Sequence, residues 1–410
     1  MPDEFARRFE LKGKKAEDYL VTLATKTFLT DWCYPSPKLA NGKELCDLLI
    51  VFGDTVIIWQ VKDLKLDEHG KYSESEVEKN FRQLAGARRI MFDVKAPLDL
   101  INPRCGMERF DPATINHVYL VSGFLGEPED YHTLFGEAKS HKVHVFTREF
   151  TEIILSELDT VSDFTHYLAT KQSDLLDNTV NRHVVISGGE EELLALYIKN
   201  NRSLPMFGPS TVLVTVDDGH WKDLQQNTDY LARKEADKLS YLWDQIIDGA
   251  HQSGDPQYEI AAREMARLNR FERRGISQFI MDAWHKARQV YAQQGNVFRR
   301  TVAISGTTYC FAFVDRHTIS STSRKNMLMA YCFISRGVPQ FSGNEKVIGI
   351  ATEIQPEEPG SYDLVYLHWP EWTEEDEKRT SELRDEYNIG KNASLNQVHL
   401  SEYPRKQDEQ

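Results

Sequence analysis

Apolar positions along this chain change their spacing several times, and each change marks an element. Over residues 14–28, Ala16, Leu20, Leu23, Ala24 and Phe28 recur near helical period and predict an amphipathic helix. Pro35 and Pro37 interrupt the chain, and the piece after Pro37 reads as a first extended segment. Over residues 45–62, two apolar runs flank Gly53-Asp54, a β-hairpin signal in which glycine supplies the positive φ. Val77, Phe81, Leu84 and Ile90 predict a second helix over 74–92, and the Pro-, Gly- and charge-rich stretch 96–113 reads as a long loop. Residues 117–121 and 143–146 read as buried strands, and 150–168 as helix with a break near Thr160. This order predicts an α/β domain with a mixed sheet flanked by helices over residues 1–172.

A mainly helical segment is expected over 173–294. It holds a helix at 190–198, a short strand at 211–216, and long helices at 222–247 and 257–294. After Gly295 the pattern turns to strands at 300–304, 308–315, 327–333, 346–351 and 364–368, followed by a charged helix at 374–387. Residues 295–410 therefore read as a C-terminal α/β domain of unknown role, ending in a loose polar tail from Asn388.

The hairpin carries the chemistry. With a two-residue loop, Phe52 faces Thr55, Asp47 faces Gln60 and Leu45 faces Lys62. Period-two alternation places Asp47, Gln60 and Lys62 on one face, with directly opposed Cβ atoms about 5 Å apart. An acid, an amide and an ammonium thus converge on an otherwise apolar hairpin, and burial of such groups is costly. Metal-assisted phosphodiester hydrolysis uses a carboxylate on a divalent cation, a second oxygen ligand and a lysine beside the water or the developing charge. Asp47, Gln60 (through its oxygen) and Lys62 supply those three groups. The plain structural alternative is a lysine snorkelling from a sheet edge beside an Asp at a strand start.

Asp47 followed by Gln60-Val61-Lys62 on the next strand resembles the signature of the PD-(D/E)XK nuclease superfamily, in the Gln-x-Lys form of its Mrr-like branches. Cys46 stands where proline is common, and Gln60 where an acid is usual, which removes one negative charge from the site. The resemblance covers roughly the first 150 residues and implies a restriction-endonuclease-like fold. It also implies Mg²⁺- (or Mn²⁺-) dependent cleavage of DNA, less often RNA. It places Glu17, on the helix before the hairpin, beside Asp47 and Gln60 as a metal ligand. It sets the helix after the hairpin, with Arg82 and Gln83, along a nucleic-acid groove. Duplex cutting suggests a homodimer, and a nuclease joined to an unfamiliar domain suggests a bacterial anti-phage defence protein with a partner, both by analogy. With a weakened metal site, the same fold would serve as a nucleic-acid- or protein-binding module. A protein-interaction role without nucleic acid fits the net acidity.

The formal charge of −14 argues against coating nucleic acid with the whole surface, but leaves room for a local basic groove. Arg263, Arg267, Arg270 and Arg274 follow i, i+4, i+7, i+11, one stripe of a continuous helix that would suit phosphate contacts. Glu259, Glu264 and Glu272 offer the competing outcome of a face laced with ion pairs. The five cysteines form no Cys-x-x-Cys pair, and His141 and His144 lack a metal spacing, so both sets read as structural. No apolar run of about 18 residues and no apolar leader is seen, so no membrane partner and a cytoplasmic location are expected. Phosphate-loop, serine-elbow and His-Glu-x-x-His motifs are absent.

Overall fold

The computed structural model describes residues 2–29, 32–95, 98–102, 104, 106–127, 134–175, 183–204, 213–294, 297–315, 317–341, 343–354, 361–389 and 401–403. The chain is mixed α/β and parts into two compact units, 1–231 and 232–410. The sequence predicts boundaries after 172 and 294.

The N-terminal unit opens with α1 (Pro2–Phe28), then β1 (Cys33–Pro35), β2 (Leu48–Phe52), β3 (Thr55–Lys62) and α2 (Glu74–Arg88). The first strand therefore precedes Pro37 rather than following it. A short hairpin, β4 (Asp99–Asn102) and β5 (Gly106–Arg109), occupies the stretch expected to be loop. Then come β6 (His117–Phe124), β7 (Phe135–Ala138), β8 (His141–Thr147), α3 (Arg148–Glu157) and α4 (Val161–Leu175). The predicted break at Thr160 is a helix start: Thr160 Oγ1 accepts from the Asp163 amide at 3.0 Å and donates to its carboxylate at 2.8 Å. A β–α–β piece follows, β9 (His183–Ile186), α5 (Glu190–Lys199) and β10 (Leu213–Val216), the strands paired in parallel, and then α6 (His220–Gln226). Residues 211 and 212 of the expected strand lie outside the described residues, as does most of the tail after Asn388.

Six strands form one mixed sheet in the order β1-β2-β3-β6-β8-β7. β2 pairs antiparallel with β3, and β6 and β8 continue in parallel. The hairpin has the predicted register, Phe52 opposite Thr55 through Leu48 opposite Trp59, and Gly53 turns with φ +60°. One face buries Leu49, Val56 and Ile58 with Leu84 and Met91. On the other, Trp59 stacks on Phe164 at 5.7 Å, and Phe164 meets Phe28 of α1 at 5.2 Å. Helix α5 is tied in by charge. Lys171 Nζ of α4 lies 2.6 Å from Glu190 Oε1, both fully buried, and Tyr167 donates to the same oxygen at 2.9 Å.

The C-terminal unit begins within α7 (Thr228–Asp237), and continues with α8 (Tyr241–Gln252), α9 (Pro256–Met265) and α10 (Arg270–Gln294). The two long predicted helices are thus broken. The Asn227 side chain accepts from the Asp229 and Tyr230 amides and starts α7. Asn269 and Glu272 exchange side-chain and backbone hydrogen bonds at 2.9 Å, a capping box that starts α10. Then β11 (Val297–Ile304), β12 (Thr307–Val314), α11 (Ser321–Arg336), β13 (Lys346–Glu353), β14 (Tyr362–His368) and α12 (Glu374–Glu386) complete the unit. The four strands form one sheet in chain order, with β12 and β13 parallel across α11. Residues 327–333, expected as a strand, are the middle of α11. Their apolar run is buried nearly all round the helix, and a short run of that kind has no distinguishing period. Among the described residues, no helix is long and apolar enough to cross a membrane.

The Lys171–Glu190 pair yields a stability test. Lys171→Met or Glu190→Gln alone strands the partner in the core and should cost about 3–5 kcal/mol, whereas Lys171→Met with Glu190→Leu should lose much less. Urea unfolding of the three variants measures the difference.

Candidate metal centre

The site is assembled by a loop, a helix and the hairpin. Residues 36–47 fold back between β1 and β2: the Ser36 amide donates to the Asp47 carbonyl at 2.9 Å and the Leu45 amide to the Pro37 carbonyl at 2.8 Å. Gly42, with φ +78°, makes the tip, and Lys38 pairs with Glu44 across the loop. Asp47 is thereby fixed just ahead of β2. Its Oδ1 accepts from Gln60 Nε2 at 2.5 Å and its Oδ2 from the Val61 amide at 2.6 Å. Asp47 and Gln60 are buried and Lys62 is half-buried.

Carboxylate oxygens of Glu17, Glu44 and Asp47 all lie within 4.8 Å of one another. Glu17 is half-buried on α1 and Glu44 is exposed on the loop. Burial is the main force lifting the Asp47 pKa to about 7; Glu17 and Glu44 add repulsion, while the Val61 amide and Lys62 oppose the rise. The Glu17 pKa is also raised, by burial first and then by the Glu44 charge, with Lys62 acting against both. Three carboxylates this close are a hard-oxygen donor set of the kind Mg²⁺ or Mn²⁺ takes, and such an ion would relieve the repulsion that raises them. Gln60 turns its NH₂, rather than its oxygen, to Asp47.

The structure thus brings Asp47 and Gln60 into contact, sets Glu17 beside Asp47, and puts the Lys62 charge within reach of both acids. Arg82 and Gln83 lie exposed on α2, with Arg82 paired to Glu78 at 3.2 Å. The arginine row is not one stripe, because the helix is interrupted between Met265 and Arg270. Its guanidiniums are committed internally: Arg263 to Glu259, Arg267 to Glu264, Arg270 to Asp244, and Arg274 to Asp237. Arg270 and Arg274 are buried, so the ion-pair outcome replaces the phosphate-binding one. Cys46, Cys310 and Cys332 are buried free thiols, Cys33 is buried, and Cys105 lies outside the described residues.

Three residues escaped the sequence reading. Glu44 comes to the cluster only through the loop closure. Asn80 and Ser122 sit on the rung beside Gln60: Ser122 is its β6 partner and donates to Asn80 Oδ1 at 3.1 Å. Both are fully buried, and Asn80 Nδ2 has no hydrogen-bond partner among the described residues. The signal for Asn80 is its place in the apolar stripe of Val77, Phe81 and Leu84.

Because the folded Asp47 holds its proton up to about 7 while an unfolded one loses it near 3.8, the metal-free fold should lose stability as pH rises between those values. That loss has a ceiling of about 4 kcal/mol. Asp47→Asn should flatten the slope and be more stable than wild type at pH 8. Denaturant midpoints measured from pH 4 to 8 in EDTA test this, and an unchanged slope would contradict the burial argument.

Compared with family models, with curated proteins and with solved structures, the chain gives no match.

Proposed function

We propose that the chain is a metal-dependent nuclease that hydrolyses phosphodiester bonds in DNA, built on a PD-(D/E)XK-like N-terminal fold. The observation that carries it is the meeting of Asp47, Gln60, Glu17 and Glu44 beside the Lys62 ammonium at the open end of a hairpin. A bound Mg²⁺ or Mn²⁺ would polarise the scissile phosphate and lower the pKa of its water. Asp47, Glu17 and Glu44 would hold that ion, with the Gln60 oxygen as a neutral ligand. Lys62 would orient the attacking water and offset charge on the phosphate as it grows. The Val61 amide keeps Asp47 aimed while the loop carries Glu44 in.

The same geometry supports a second reading. Gln60 contributes no charge, and Asp47 is buried enough to keep its proton near neutrality, so metal affinity is reduced. A chain of this kind would act as a binding module for DNA or a partner protein. A homodimer and a role in bacterial anti-phage defence remain extensions by analogy to either reading.

Cleavage of supercoiled plasmid with Mg²⁺ or Mn²⁺ separates the two. The nuclease reading predicts nicking that Asp47→Ala abolishes and Lys62→Ala slows about 10²-fold or more, with the fold intact by circular dichroism. Gln60→Glu should lower the cation concentration needed for half-maximal cutting. Equal cutting by wild type and Lys62→Ala would remove the proposed site. DNA binding indifferent to the cation, without cutting, would favour the module.

A further inference from the structure

Several buried arginines of the C-terminal unit meet carboxylates. Buried Arg270 and Arg273 share Asp244, Arg274 faces Asp237, and Arg324 lies between Glu353 and Asp363. Arg299 and Arg300, neighbours on β11, have no such match. Both are half-buried, and neither side chain makes a hydrogen bond or ion pair with a described residue. Arg299 Nε and Arg300 Nη1 are shielded from solvent without a partner. Arg300 does lie over the Phe279 ring, at 4.4 Å. Arg299 lacks even that contact among the described residues.

Alternation along β11 puts Arg299 on the same side as Thr301. Thr301 faces α11, its Oγ1 2.7 Å from the Tyr331 hydroxyl and 3.5 Å from Ser335 Oγ. On the Arg299 side of β11 there is therefore a knot of hydroxyls, and no carboxylate among the described residues pairs with the guanidinium. Burial lowers the Arg299 pKa, and only the Tyr331 phenol acts the other way. The chain carries 63 acidic residues against 49 lysines and arginines, yet no carboxylate among the described residues pairs with Arg299.

We propose that this face of β11 binds the phosphate group of a small ligand, with Arg299 as the fork and the bonded Thr301–Tyr331 hydroxyl pair turning one proton to it as a further donor. A guanidinium presents five N–H donors in a plane, and the hydroxyl pair adds a donor from a second direction. That set suits the several terminal oxygens of a tetrahedral phosphate better than the two of a carboxylate. The site is independent of the Asp47 cluster, so either can fail without the other.

The test uses the full chain at constant ionic strength, with inorganic phosphate, adenosine monophosphate and acetate as probes. Isothermal titration and thermal unfolding should show saturable binding of both phosphate probes. Arg299→Gln should weaken it at least about tenfold, the scale of one lost charge-assisted contact. Arg299→Lys should fall between the two, and Arg288→Gln, an exposed arginine on α10, should match wild type. If Arg299→Gln does not fold, Tyr331→Phe reads the same site through its lost hydroxyl. Tighter binding of the nucleotide assigns a nucleoside-borne phosphate, and equal affinities assign phosphate alone. No saturable binding, binding unchanged in Arg299→Gln or Tyr331→Phe, or acetate as effective as phosphate would overturn the proposal.

Discussion

A carboxylate held at the buried end of a strand organises the N-terminal unit. Asp47 accepts from the Val61 amide and from Gln60, and its own carbonyl accepts from the Ser36 amide. These bonds join β1, β2 and β3 at the point where the β2–β3 ladder has run out. Burial disfavours the ionised acid, while two N–H donors favour it, and the two influences leave it close to neutrality. Glu17 and Glu44 then crowd the same spot with oxygens. Such an arrangement costs stability in isolation and makes sense once a cation or a shared proton occupies it.

The hairpin was legible because its constraints are local. A Gly-Asp turn and strict alternation fix the register, and the register alone sets Asp47 against Gln60. Glu17 was reachable only through the family resemblance. Glu44 was not legible, since its place depends on the closure of residues 36–47 around Gly42, which no periodic pattern records. Asn80 left a trace, a polar residue where the helical stripe calls for an apolar one, but its partner Ser122 comes from a strand 42 residues away. Of the architecture, the mixed sheet and the later four-stranded sheet were visible as strand runs. Helix α11 was hidden by an apolar run that is buried on nearly every side.

The arginines show why spacing alone misleads. The stripe of Arg263 to Arg274 assumed an unbroken helix, yet the Asn269–Glu272 capping box restarts the chain there. Asp237 and Asp244, outside that stretch of sequence, then claim Arg274, Arg270 and Arg273. Arg299 differs from that row, since no carboxylate among the described residues pairs with it.

The most direct test of the central claim is an anomalous difference map from crystals soaked in Mn²⁺. The account predicts one peak coordinated by the Asp47 and Glu17 carboxylates, with Glu44 and the Gln60 oxygen around it and the Lys62 ammonium outside the coordination shell. A map with no peak at the cluster, or an ion bound elsewhere while Asp47 keeps its metal-free contacts, would contradict it.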